Sequence, residues 1–88
     1  MPKNTVEIVN RAGMHARPAS EFVKLAGGYS ADVWVEKDGI RVNGKSIMGV
    51  LMLAAECGSS LSIETDGSDA DAALAALSDL VARGFEED

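Results

Sequence analysis

The residue pair Asp38-Gly39 sets the strongest constraint on the fold, because segments of alternating apolar and polar residues flank it on both sides. Asp-Gly is favoured in two-residue turns of type I′, whose backbone twist matches that of two paired strands. The flanking segments ADVWVEK and IRVNG therefore predict a β-hairpin over residues 32–43. The chain thus contains an antiparallel sheet.

Two further segments show the period of a strand. In TVEIV (5–9), Val6 and Ile8 alternate with Glu7, and in SLSIET (60–65), Leu61 and Ile63 fall on one side. With the hairpin, these segments predict four strands.

Three helices fit between and after the strands. The first ends at Gly27-Gly28 and places on one face Ala19, Phe22, Val23 and Ala26. The second follows Ser46 in KSIMGVLMLAAECG, and the third runs from an N-cap at Ser68 to Gly84. On the third, the residues predicted to be buried are Ala70, Leu74, Leu77 and Leu80 or Val81. The order βαββαβα predicts an α+β fold, a two-layer open-faced sandwich with the helices on one face of the sheet.

Composition limits the classes of function. The 88 residues suit one domain spanning 1–88, and the net charge of −6 argues against a nucleic-acid partner. No apolar run approaches the ~20 residues of a membrane-spanning helix, and the N-terminus has no signal-peptide pattern. Cys57 is the only cysteine, expected to be a half-buried structural residue, and fits a reducing cytoplasm. A cytoplasmic location is therefore expected.

The charges are unevenly distributed along the chain. Seven of the eight basic residues lie in the first 45 positions, whereas the last 25 residues are strongly acidic. A basic face in the first half would suit an acidic protein partner or a phosphoryl group. Ordinary solvated surface is the alternative.

The stretch GMHARPAS (13–20) holds the only histidine of the chain. Proline is tolerated only in the first turn of a helix, so Pro18 places His15 at a helix N-terminus. The partial positive charge there disfavours the imidazolium form and attracts anions, and the guanidinium of Arg17 suits phosphoryl oxygens. His15 is therefore a candidate nucleophile for a phosphoryl group, with Arg17 beside it.

Other interpretations of His15 stay open. It could serve only as a helix cap and surface residue, or it could act with Arg17 in a small phosphate-ester or acyl-phosphate hydrolase. The hydrolase ranks last, because no general-base carboxylate lies near His15 in sequence. A second histidine is also lacking, so we expect no metal site and no cofactor.

Ser46 and the helix after it form a second candidate site. Ser46 is well placed as an N-cap, and a phosphate there would add about −1.5 to −2 charge next to the positive helix end. The helix is apolar nearly all round, so we expect part of it to form an exposed docking patch: Ile47, Met48, Leu51 and Met52. A pure interaction module that binds a regulator through this patch is the alternative function, and a fully buried helix is the competing structural interpretation.

The two motifs together resemble a known family. GMHARPAS looks like the active-site motif of the HPr family, the histidine-containing phosphocarriers of the bacterial phosphotransferase system, and KSIMGVLMLA resembles that family's regulatory serine motif. The resemblance covers the whole chain. It implies a four-stranded antiparallel sheet in the order 1-4-2-3 under three helices.

The resemblance also implies a function. His15 would accept a phosphoryl group through Nδ1 from phosphorylated Enzyme I and pass it to Enzyme IIA-type domains, while Arg17 would hold the phosphoryl oxygens. Ser46 would be the target of an ATP-dependent HPr kinase/phosphorylase that lowers transfer. Such a carrier is expected to be a monomer and not an enzyme with its own turnover. The expected partner-binding residues are Met14, Lys24, Lys45, Ile47, Met48, Leu51 and Met52.

Some positions differ from the pattern of the sugar-transport members. Glycines stand at positions 27 and 49, where enteric members commonly carry lysine, which leaves Lys24 and Lys45 as the basic rim. LMLAA and the ending GFEED are similar to the nitrogen-related branch, whereas GKSIMG looks more like kinase-regulated members. We expect a regulatory phosphorelay role rather than sugar uptake alone.

Overall fold

In a computed structural model of the protein, which describes residues 1–87, four strands and three helices follow one another in the order βαββαβα. The strands are β1 (Lys3–Glu7), β2 (Asp32–Lys37), β3 (Ile40–Asn43) and β4 (Ser60–Asp66). The helices are α1 (Ala16–Gly27), α2 (Ile47–Met52) and α3 (Ala70–Ala82), and a single 3-10 turn follows at Gly84–Glu86. The predicted α+β architecture is confirmed.

The sheet is antiparallel with the strand order β1-β4-β2-β3, as the resemblance implied. The hairpin between β2 and β3 closes at the pair Lys37 and Ile40. Asp38 has φ 52° and Gly39 has φ 81°, the two positive values that a type I′ turn requires. The turn residues therefore fix the register of the hairpin.

The core lies between the sheet and the helices. Alternate residues of the two central strands, β2 and β4, point into the core. Four of them are at most 1% exposed: Val33, Val35, Leu61 and Ile63. Phe22 of α1 and Leu77 of α3 are fully buried against the same layer. Burial of each such side chain contributes ~1.5–3 kcal/mol to the free energy of unfolding, so this layer is the main source of stability.

Two predicted boundaries are wrong by one or two residues. The first strand is Lys3–Glu7 rather than 5–9, because the chain leaves the sheet at Ile8, whose side chain is fully buried in the core. The N-cap of α3 is Asp69 rather than Ser68. Its carboxylate accepts hydrogen bonds from the backbone N–H groups of Ser30 (2.9 Å) and Ala31 (2.8 Å), so the start of α3 is tied to the loop after α1.

Cys57 differs from its expected environment. It is exposed rather than half-buried, and its Sγ lies 3.8 Å from the carbonyl oxygen of Val9. α2 ends early at Met52 and Ala54 has φ 50°, so Cys57 lies in an exposed segment, residues 56–58, rather than at the end of a helix. No helix within residues 1–87 is both long and apolar enough to span a bilayer.

Candidate functional site

A tight loop between β1 and α1 brings His15 to the surface. Gly13 has φ +69°, and a Cβ at this position would lie 2.6 Å from the carbonyl oxygen of Ala55 and 2.8 Å from Cα of Glu56. The next residue, Met14, donates its backbone N–H to that same carbonyl oxygen at 2.8 Å. Only glycine allows this close approach, which fixes the backbone immediately before His15.

His15 is the N-cap of α1, as Pro18 predicted. Its backbone is extended (φ −84°, ψ −169°), and its carbonyl oxygen accepts the first intrahelical hydrogen bond from Ala19 N–H at 3.0 Å. Pro18 falls within the first four helical positions, where no intrahelical N–H donor is needed. The backbone N–H groups of Ala16 and Arg17 therefore precede the hydrogen-bonded part of the helix and form its N-terminal donor group.

The imidazole itself does not cap the helix. The His15 side chain makes no capping hydrogen bond and is 42% exposed. His15 is thus the N-cap residue of α1 and a surface residue, as the alternative interpretation also expected, but its side chain takes no part in capping. The ring is accessible, and it is held by a different contact.

That contact is a carboxylate from the other end of the chain. Oε1 of Glu87 lies 3.0 Å from Nε2 of His15, and Oε2 of Glu87 accepts a hydrogen bond from the guanidinium of Arg17. The side chain of Glu87 is only 12% exposed, whereas that of Arg17 is 63% exposed. One carboxylate thus bridges the two predicted site residues, so both lie within reach of a single anion.

Asn10 also donates a hydrogen bond to the carboxylate of Glu87. Its Nδ2 donates to Oε1 of Glu87 at 2.8 Å and to the carbonyl oxygen of Gly13 at 2.8 Å. Asn10 is 1% exposed, and its Oδ1 is buried without a hydrogen-bond partner within the part of the chain that the structure describes. Because both neighbours of Nδ2 are acceptors, the amide orientation is fixed by the network.

These donors lower the pKa of Glu87 to about 2, well below its ordinary value of 4.5. The hydrogen bond with His15 is the largest cause, followed by the hydrogen bonds from Asn10 and Arg17, and partial desolvation opposes them. Glu87 is therefore ionised at neutral pH, and the site contains a fixed negative charge.

Neither Glu87 nor Asn10 is predicted by the sequence motifs. No carboxylate lies near His15 in sequence, and Glu87 reaches it from 72 positions away. The acidic ending was visible, but nothing in a single sequence shows that the turn after α3 returns it to the start of α1. Asn10 gave no signal, because a single asparagine is ordinary in loops.

The second candidate residue, Ser46, is the N-cap of α2, as predicted. Its Oγ accepts a hydrogen bond from Gly49 N–H at 3.1 Å, and the residue is half-buried. The hydroxyl belongs to a helix terminus that tolerates added negative charge. Modification of Ser46 stays a prediction.

The expected docking patch is only partly exposed. Ile47, Met48 and Met52 are 40%, 68% and 72% exposed, so the fully buried alternative for α2 is wrong. Leu51 is half-buried against the core because its side of the short helix faces α1 and the sheet. We use "the α2 patch" for Ile47, Met48 and Met52.

Two of the other expected partner-binding residues need correction. Met14 is only 5% exposed and belongs to the core, because the loop fixed by Gly13 turns its side chain inward. Lys45 is half-buried, and its Nζ donates to the carbonyl oxygen of Tyr29 at 2.8 Å. Lys24 is exposed on α1, as expected. Of the predicted basic rim, Lys24 and Lys45, only Lys24 is exposed.

Among residues 1–87 no group of three or more His, Cys, Asp or Glu side chains could hold a metal ion. The polar groups at the start of α1 are instead a neutral or cationic ring, a guanidinium and backbone N–H groups, which are donors for an anion. What the site can bind chemically is an oxyanion such as a carboxylate or a phosphoryl group.

Comparison with known proteins agrees with this geometry. Residues 2–83 match the family described as "PTS HPr component phosphorylation site". The phosphocarrier protein HPr of Neisseria meningitidis serogroup A is 47% identical over 87 residues, which cover 99% of this chain and 98% of the relative. Together with the solved structures below, this similarity extends over the whole length of the chain.

Two solved structures from Thermoanaerobacter tengcongensis have the same fold. HPr-C-His has a TM-score of 0.96 at 43% identity, covering 100% of this chain and 99% of that chain. A structure described as an HPr dimer has a TM-score of 0.77 at 44% identity, covering 97% of this chain and 98% of that chain. The shared sequence, the strand order and the histidine at the start of α1 lead to one conclusion: the chain belongs to the HPr family of phosphocarrier proteins of the phosphotransferase system.

Proposed function

We propose that this protein accepts a phosphoryl group on His15 from phosphorylated Enzyme I and donates it to Enzyme IIA-type domains. One observation carries the proposal: the exposed His15 ring and the guanidinium of Arg17 hold the two oxygens of a single carboxylate at the N-terminus of a helix. Arg17 therefore lies close enough to the His15 ring for both side chains to contact one anion. The protein acts as a carrier that is phosphorylated and dephosphorylated stoichiometrically.

The transfer step follows from which ring nitrogen is occupied. Nε2 of His15 faces Glu87, which leaves the lone pair of Nδ1 for attack on phosphorus. The Nδ1–P bond forms as the bond between phosphorus and the donor breaks, and that electron pair stays on the donor. The proton on Nε2 stays in place. Transfer to an Enzyme IIA-type domain is the same step in reverse with a different partner.

Arg17 can bind the phosphoryl oxygens while it keeps its hydrogen bond to Glu87. Within residues 1–87, the hydrogen bond of its side chain to Glu87 uses one terminal NH2 group of a guanidinium that carries five N–H donors. The remaining donors face solvent on a side chain that is 63% exposed. Together with the N–H groups at the start of α1, they would hold the phosphoryl oxygens.

The test is incubation with Enzyme I and phosphoenolpyruvate, followed by intact-protein mass spectrometry. We expect a mass increase of one phosphate that is labile in acid and absent from His15→Ala. Ser46→Ala serves as the matched control and should gain the phosphate as the wild type does. A wild-type protein without the adduct, or an adduct that persists in His15→Ala, contradicts the proposal.

Regulation at Ser46 is the second part of the proposal. Ser46 lies directly before the α2 patch, so a phosphate there would place negative charge beside the apolar surface. Partners that dock on this patch would then meet a negatively charged group next to the apolar side chains. An HPr kinase/phosphorylase is the enzyme expected to add the group.

The exposed α2 patch also supports the alternative function, a module that binds a regulator without phosphoryl transfer. A short helix with Met48 and Met52 about 70% exposed is an adaptable docking surface. Under this alternative, His15→Ala would leave partner binding and signalling unchanged. Loss of signalling in His15→Ala would favour the phosphocarrier.

We further propose that the protein is a cytoplasmic monomer that needs no cofactor. The relative from Thermoanaerobacter tengcongensis that is described as a dimer makes the monomer a point to test. Light scattering at several protein concentrations measures the molar mass directly. A mass near 9.2 kDa at all concentrations supports the monomer, and twice that value contradicts it.

A further inference from the structure

We propose that Glu87 is a positioning residue for phosphoryl transfer: its carboxylate holds His15 in the tautomer with the proton on Nε2 and stabilises the positive charge that the ring gains during attack. This inference rests on the proposed function. It also assigns to the acidic end of the chain a role that the proposed function does not need.

The geometry at the His15 ring supports this role. Oε1 of Glu87 lies 3.0 Å from Nε2 of His15, at hydrogen-bonding distance. An ionised carboxylate can only accept hydrogen bonds, so Nε2 must be the protonated nitrogen. Nδ1 then carries the lone pair and is the nucleophile. When Nδ1 bonds to phosphorus, the ring becomes an imidazolium whose positive charge lies next to the carboxylate, as in a Ser-His-Asp triad.

The carboxylate of Glu87 is itself held in place. Asn10 donates to Oε1 at 2.8 Å and Arg17 donates to Oε2, so both oxygens have fixed donors. Asn10 is 1% exposed, and its own Oδ1 is buried without a partner in the described residues. A buried, half-satisfied amide is destabilising in an ordinary loop. Here the amide N–H group of Asn10 orients Glu87, and Glu87 in turn orients His15.

The turn after α3 also positions Glu87. Gly84, Phe85 and Glu86 have φ of 66°, 56° and 59°, three successive residues in the left-handed region. Residues other than glycine resist this conformation, so the turn persists only because other contacts determine it. Phe85 is 2% exposed in the core, and Glu87 N–H donates to the carbonyl oxygen of Gly84 at 3.0 Å. The strained turn reverses the chain and aims Glu87 at His15.

The tautomer can be measured without any partner. In the full-length, unphosphorylated protein, 15N NMR of the His15 ring distinguishes the two neutral tautomers by the shifts of Nδ1 and Nε2. We expect essentially one tautomer, with the proton on Nε2, in the wild type. Glu87→Ala removes the acceptor and should show a mixture of both tautomers, whereas Glu87→Gln keeps an acceptor oxygen and should restore the Nε2–H form.

Phosphorylation rates test whether the negative charge of Glu87 assists transfer. Both Glu87→Ala and Glu87→Gln lack the negative charge, so we expect transfer from Enzyme I to slow by about tenfold in each; water can partly replace the carboxylate at an exposed ring, which keeps the effect below that in a buried triad. Glu86→Gln, an exposed neighbour paired with Arg83 at 3.3 Å, removes the same charge and should keep the wild-type rate and tautomer.

The outcomes separate this inference from the proposed function. A mixture of tautomers in the wild type, or the same tautomer and the same rate in Glu87→Ala as in the wild type, overturns the role of Glu87 while phosphoryl transfer can still occur. Absence of any phosphorylation in the wild type overturns the proposed function, and the NMR comparison still decides whether Glu87 selects the tautomer.

Discussion

Gly13→Ala is expected to destabilise the protein and to disturb the site, because two separate costs act at this residue. Its backbone is left-handed (φ +69°), which costs an alanine roughly 1–2 kcal/mol. The added Cβ would also lie 2.6 Å from the Ala55 carbonyl oxygen, the acceptor of the Met14 N–H hydrogen bond. Displacing that bond costs about 1 kcal/mol more.

The two contributions add to about 2–3 kcal/mol, which lowers the melting temperature of a domain of this size by roughly 10–20 °C. The assay is urea unfolding followed by the fluorescence of Trp34, the only tryptophan. Gly27→Ala is the matched control: Gly27 lies in the last turn of α1 at a helical φ, and a Cβ there meets nothing within 4 Å. We expect that variant to equal the wild type or to gain up to about 1 kcal/mol.

A Gly13→Ala protein within about 0.5 kcal/mol of the wild type would refute this reasoning, since surface substitutions without a special role fall in that range. It would mean that the loop before His15 is not fixed by the close approach of residues 13 and 55. The Gly27→Ala control guards against a general effect of replacing glycine, because both variants make the same change in composition and in the unfolded chain.

The remaining predictions concern charge, pH and the α2 patch. Ser46→Asp should slow phosphorylation of His15 with little loss of stability, measured by transfer kinetics and urea unfolding; an unchanged transfer rate counts against regulation at Ser46. As the pH falls from 4.5 to 2, the free energy of unfolding should decrease more for the wild type than for Glu87→Gln. The reason is that folding lowers the pKa of Glu87 to about 2, so its stabilising contacts are lost when the carboxylate is protonated. Parallel profiles of unfolding free energy against pH would show that these contacts contribute nothing. Met48→Ala, at a side chain 68% exposed, should change stability by less than about 0.5 kcal/mol yet weaken binding to Enzyme I in calorimetry; unchanged binding would exclude the α2 patch as the contact surface.

Local sequence signals predicted most of the fold. Asp38-Gly39 fixed the hairpin because only a type I′ turn accommodates both positive φ values. Pro18 located the start of α1 because the ring of proline is compatible only with the first turn. The errors of one or two residues at Ile8 and Asp69 arise where tertiary contacts, burial in one case and two backbone N–H groups in the other, override the local pattern.

The site was only half predictable for a related reason. His15, Arg17 and Ser46 lie in short motifs whose chemistry depends on neighbours in sequence. Glu87 contacts His15 across 72 positions, through a left-handed turn that no propensity favours. Met14 likewise looked like a surface residue, because its burial depends on the loop packing against residue 55. Contacts between chain ends are a property of the fold rather than of any segment.

The most direct test of the account is to locate the phosphoryl group on the ring of His15. The protein labelled with 15N is phosphorylated by Enzyme I and phosphoenolpyruvate, and coupling between 15N and 31P identifies the bonded nitrogen. We expect a bond to Nδ1, with Nε2 still protonated and facing Glu87. Phosphorus on Nε2, or on a residue other than His15, would contradict it.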